Sequence, residues 1–201
     1  MVFKYKLHIG NVVADKNACK YLSGNNCQLA VEYFLRRPEL ISYDHLSGNN
    51  NQLAVEHLLQ WPEKINWMRF AFNNNTKAVE YLLQHPTKID FSNLSSNENP
   101  LAVEYILQHP DKIYWRTFSS NANQEAVEFL IEHPEHINWA YFSKNKNPTA
   151  VEHLLQHPDR INWWMLSSNT HALAVTYLLE HPDDIDWQGF SRNENQLAVN
   201  C

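Results

Sequence analysis

Five histidines recur at one interval: His85, His109, His133, His157 and His181 follow one another every 24 residues, each directly before a proline. An imidazole column invites metal ligation, and zinc requires its nitrogens about 2.0 Å from the ion. Consecutive layers of a helical stack lie about 10 Å apart, so neighbouring rungs cannot share one metal. The column is read instead as helix C-terminal residues whose rings bond exposed carbonyls. His57 and His153 occupy another position of the repeat. His153 and His157 stand at i and i+4, but no third donor follows at fixed spacing and no His-Glu-x-x-His pattern is present.

A second column comprises Glu32, Glu56, Glu80, Glu104, Glu128 and Glu152, and Thr176 and Asn200 interrupt it. Paired carboxylates do acid–base chemistry at separations of about 5–10 Å. Here every repeat would offer the same pair with no distinguished cleft, so the column is read as a solvated helix edge. The chain has no Gly-rich nucleotide loop, catalytic-serine elbow, Cys-x-x-Cys pair or EF-hand. No catalytic, cofactor-binding or metal residue is assigned, and the protein is read as a non-enzyme.

The elements that carry these columns form a 24-residue unit, opening at Leu22, Leu46, Phe70, Leu94, Phe118, Phe142 and Leu166, with a partial eighth from Phe190. So short a unit cannot bury its own apolar face and must stack on its neighbours. A first helix starts at an Asn N-cap, as at Asn99-Pro100 and Asn147-Pro148, and ends at the next proline after about ten residues. A second helix of about six residues follows, over 67–72 or 115–120, with a single 3₁₀ turn as the alternative. Asn73 and Asn121 are suited to leave it in a left-handed conformation. The predicted architecture is all-α, a helical-hairpin repeat solenoid. Its core is expected to contain Ala54, Leu58, Ile65, Trp67, Ala102, Ile106, Ile113, Trp115, Trp139, Trp163 and Trp187.

The register predicts a single repeat domain over 22–201, of seven complete units and the partial eighth. Residues 1–21 depart from it. A strand over 3–9 is conceivable, but a terminal cap with a helix over 14–22 is preferred because it shields the first repeat.

Lys and Arg total 16 against 22 Asp and Glu, a formal charge of −6, which argues against a surface built for nucleic acid or an anionic membrane. The uniform Asn positions cannot encode a base sequence either. Cys19, Cys27 and Cys201 form an odd set without ligand spacing and are read as reduced thiols. The expectation is an intracellular protein without a secretion signal or a membrane span.

Residues that vary from unit to unit are where recognition would sit on a uniform scaffold. After the prolines these are Lys88, Lys112, His136 and Arg160; on the second helix they are Arg69, Asn93, Thr117, Tyr141 and Met165. Trp61 and Trp164 break the pattern and are candidate anchors.

Leu94, Ser95, Asn97, Ala102, Ile106, Leu107, Pro110, Ile113 and Trp115 together carry a resemblance to short tandem repeats in proteins of large DNA viruses. It covers about residues 22–199. The chain departs from that pattern at Glu98-Asn99-Pro100. The resemblance implies a viral protein of the host cytoplasm or virion with an ankyrin-like or tetratricopeptide-like role in binding other proteins. It supplies no catalytic residue. The expected function is a protein-binding or scaffolding module for an unidentified protein. The alternative is a structural protein forming an end-to-end homodimer through the C-terminal repeat, ahead of a nucleic-acid-binding solenoid.

Overall fold

The computed structural model describes residues 23–24 and 26–199. The expected N-terminal cap, its strand or helix, and Cys19 and Cys201 lie outside them, as does the end of the proposed homodimer face. Contacts divide the chain into two compact units, Met1–Asn66 and Trp67–Cys201. The described residues of both are all-α and built of helical hairpins in tandem. In the larger unit first helices pack on first helices and second helices on second helices. In the smaller unit Gln28–Leu35 packs on Gln52–Leu59, which also meets Tyr43–Ser47.

The repeat Asn99–Trp115 illustrates why the chain folds this way. The Asn99 side chain accepts from the Leu101 N–H, and Pro100 opens the helix Pro100–Leu107. Proline serves there because a first-turn N–H has no partner inside the helix. The helix stops before Pro110, whose ring forbids helical geometry at the preceding residue. His109 accordingly sits at φ −128°, ψ 62°. Instead of merely ending a helix, each proline that follows a first helix also opens a 3₁₀ turn, here Pro110–Lys112, an element the sequence did not reveal. The first helices span 8–9 residues where complete. The second are shorter than expected, Trp67–Ala71 and Trp115–Phe118.

Buried amides tie the layers together. Asn97, Asn121, Asn145, Asn169 and Asn193 are at most 5% exposed. Each Nδ2 donates to two carbonyls of the preceding repeat at 2.8–3.1 Å; for Asn121 these are Ser95 and Asn97. Each Oδ1 accepts from the N–H two residues on. Asn121 therefore acts through an inward side chain, a role the turn reading missed, and Asn73 is likewise buried, its Oδ1 accepting from the Asn75 N–H. The N-cap asparagines repeat the device: Asn99, Asn123, Asn147 and Asn195 donate from Nδ2 to a carbonyl of the preceding repeat. In the smaller unit Asn49 donates to the Ser23 carbonyl and Asn51 to the Asn26 carbonyl.

A serine column completes the lattice. Ser95, Ser119 and Ser143 donate to the carbonyl four residues back, and their Oγ accepts from Tyr114, Asn138 and Asn162 N–H groups 19 residues on. No buried side-chain nitrogen or oxygen among the described residues lacks a partner.

Ala54, Leu58, Ala102 and Ile106 are fully buried, and Ile65 and Ile113 nearly so. The tryptophans need correction. Trp67, Trp115, Trp139 and Trp163 are half-buried at the edge of the stack, and Trp187 is 63% exposed. The innermost slots belong instead to the unit-opening Leu94, Phe118, Phe142 and Leu166. The residue that covers each tryptophan lies fourteen positions on, an aromatic or imidazole ring in the other repeats, whereas the sequence has Cys201 at that distance from Trp187.

Ala71 is the exception in the serine column. It has no hydroxyl to accept from the Asp90 N–H. Ala71→Ser should therefore raise stability by about 1 kcal/mol, one net hydrogen bond, seen as a higher urea midpoint at unchanged slope. A lower midpoint would mean that the serine column does not act as described.

Candidate protein-binding surface

The half-buried aromatics form a column along one edge. In the larger unit Trp67 stacks on Tyr81 at 6.2 Å, Trp115 on Phe129 at 6.2 Å, Trp139 on His153 at 6.1 Å and Trp163 on Tyr177 at 6.4 Å. The histidines before the prolines join these stacks. His85, His109, His133, His157 and His181 each lie against the ring four residues back, at 4.1–4.6 Å. Their Nδ1 atoms meet the carbonyl of the same residue at 2.8–2.9 Å. A carbonyl cannot donate, so Nδ1 carries the hydrogen. The histidine column is thus a set of carbonyl-bonded helix ends. The glutamates are solvated edges: Glu32, Glu56 and Glu128 accept from Gln28, Gln52 and Gln124 of their own helices.

The residue after the 3₁₀ proline pair adds a further lid. His136 stacks on Trp115 at 3.9 Å and 4°, and the Arg160 guanidinium lies 5.9 Å from the Trp139 ring. Within the smaller unit Lys64 takes the same place 5.8 Å over Tyr43. Between residues 89–92 and 111–114 there is instead a surface cleft of about 490 Å³. Ile113, Ile137, Ile161 and Ile185 are buried, but Ile89, which lines the cleft, is only half-buried. Asp90 caps the second helix, with Oδ1 accepting from the Asn93 N–H at 2.9 Å.

The other candidate residues divide by exposure. Trp61 and Trp164 are 49% and 46% exposed, and Arg69, Lys88, Lys112 and Arg160 face solvent. His136 is drawn onto Trp115. The variable second-helix residues are largely turned toward the preceding repeat. Asn93 donates to the Met68 carbonyl and Thr117 to the Ser92 carbonyl. Tyr141 lies between the Arg116 and Lys144 cations at 4.7 and 4.8 Å, and Met165 is half-buried. At the equivalent Gly189 an added Cβ would lie 2.8 Å from the Trp164 carbonyl oxygen. Met68, Phe72 and Tyr114, which the sequence does not single out, are also exposed, at 59%, 54% and 54%. Met68 and Phe72 stand four apart where other repeats carry mostly small or polar residues, and that spacing was the available signal.

Among the described residues no group of three or more His, Cys, Asp or Glu is placed to hold a metal, and no helix is long and apolar enough to cross a membrane. No protein-family model, curated protein or solved structure matches the chain.

Burial holds the His153 imidazole below its ordinary value, and the charge on His157 adds to the effect; burial alone lowers His57. The unfolded chain takes up these protons near pH 6.5, while the folded chain does so only at lower pH. Their contribution is therefore complete above about pH 6.5 and is lost as pH falls through the folded-state values. The urea midpoint should drop on acidification through this window, and His153→Tyr, a ring used at Tyr81 and Tyr177, should flatten part of that drop. An identical pH profile for the variant would refute the assignment.

Proposed function

We propose that this chain is a non-catalytic repeat module that binds another protein. One observation carries the reading: the side chains that repeat in every unit are engaged inside the lattice, while those that differ between units include the large exposed apolar groups. Asn97, Asn121 and Ser119 are fully bonded and buried. Met68, Phe72, Tyr114 and Trp164 are not required by that lattice and remain 46–59% exposed. Exposed aromatic and methionine side chains supply much of the energy at protein interfaces. The acidic net charge favours protein over nucleic acid as the partner.

The test is affinity capture from cell extract with wild type beside a Met68→Ser, Phe72→Ser, Trp164→Ala variant whose circular dichroism matches wild type. The proposal expects a defined set of proteins to be recovered with wild type and reduced at least about tenfold with the variant, the loss of one or more interface anchors. Equal recovery with both would refute recognition through these residues.

A further inference from the structure

We propose that the cleft over Phe91 receives an arginine side chain of a partner protein; this rests on the protein-binding reading above and names the chemistry of one contact. The chain itself shows what the slot accepts. In three other repeats the residue twenty-one positions beyond the column aromatic covers its ring: Lys64 over Tyr43, His136 on Trp115 and Arg160 over Trp139. Phe91 should be covered by Lys112 on the same register. The Lys112 ammonium meets Asp111 Oδ2 at 3.3 Å and makes no cation contact with that ring, whereas Arg160 pairs likewise with Asp159 at 3.2 Å and still lies over Trp139. Lys88 also leaves Trp67 uncovered, but His85 tilts against that indole at 5.4 Å. Among the described residues Phe91 alone in this column has neither a ring nor a cation against it, and the cleft opens at that point. Phenylalanine stands at Phe91 where the other repeats have tryptophan or tyrosine, and the Tyr105 ring stacks on His109.

The walls fit a guanidinium better than an ammonium or a neutral group. Phe91 and the exposed Tyr114 offer aromatic faces, and Ile89 and Ile113 offer apolar surface for the methylene stem. Asp90 uses Oδ1 to cap its helix and has Oδ2 remaining, and Asp111 stands on the opposite wall. A planar guanidinium stacks on rings while its edge donates to carboxylates, which an ammonium does less well. The incoming cation must compete with Lys112 for Asp111. Both partners of that pair are more than half exposed, at 52% and 71%, so the displacement is inexpensive.

The probe is the peptide acetyl-Gly-Arg-Gly-amide, titrated into the full chain and followed by amide chemical shifts. Binding should move the signals of residues 89–92 and 111–114. Replacing arginine by its neutral isostere citrulline should weaken binding at least about fivefold, and replacing it by lysine about threefold. Phe91→Trp, the ring used at the same place in other repeats, should fill the cleft and remove the response without unfolding the chain. Asp111→Asn should weaken it about threefold. Equal binding of the citrulline or lysine peptide, shifts elsewhere with none at the cleft, or an undiminished response from Phe91→Trp would overturn the proposal. None of those results bears on the Met68, Phe72 and Trp164 capture experiment, so the two readings fail separately.

Discussion

A primary amide that is sealed from water must find partners for two N–H bonds and an oxygen, and here the only partners within reach are backbone groups of the same turn and of the preceding repeat. Asn121 satisfies this by donating to the Ser95 and Asn97 carbonyls and accepting from the Asn123 N–H. The same solution recurs at Asn97, Asn145, Asn169 and Asn193. Hydrophobic contact between helices of 8–9 residues tolerates sliding and rotation, whereas these bonds are met at only one spacing and one register. The unbroken 24-residue period of the sequence follows from that geometry. An inserted residue would separate an amide from its carbonyls, leaving both buried and unpaired.

The lattice also explains where variation is allowed. The buried amide and serine positions are held to Asn, Ser or Ala, and the edge aromatics need only a flat ring, so Trp67, Phe91 and Trp115 share one column of the larger unit and Tyr43 has the same register in the smaller. What covers each ring is less constrained still: an imidazole at His136, a guanidinium at Arg160 and an open cleft at Phe91. The scaffold thus separates what sets the stacking from what a partner would touch. Such separation suits a repeat architecture, in which each layer answers mainly to its neighbours.

Much of this was legible in the chain. The period, the hairpin, the caps at Asn99 and Asn147, and the buried Ala102 and Ile106 follow from spacing and from proline and asparagine chemistry. The rest required three dimensions. Asn121 looks like a turn residue because local turn chemistry and long-range amide bonding select the same side chain. Trp187 looks like core by analogy, yet size and repetition do not reveal that the column lies at an edge, where the ring fourteen residues on decides burial. Asn93 and Thr117 vary and are polar, which reads as surface, but both bond to carbonyls 25 residues earlier. The cleft was invisible because it lies where neither a ring nor a cation meets Phe91, a matter of side-chain placement and not of a motif.

The account stands or falls on the amide lattice, and equilibrium urea unfolding of Asn121→Asp beside the exposed control Glu98→Gln tests it most directly. Aspartate keeps the acceptor for the Asn123 N–H but loses both donors and confronts the Ser95 and Asn97 carbonyls with a buried carboxylate. The expected loss is about 3 kcal/mol or more, against less than about 0.5 kcal/mol for the control. An Asn121→Asp protein as stable as the control would show that the helices stack without these bonds, and would contradict the account.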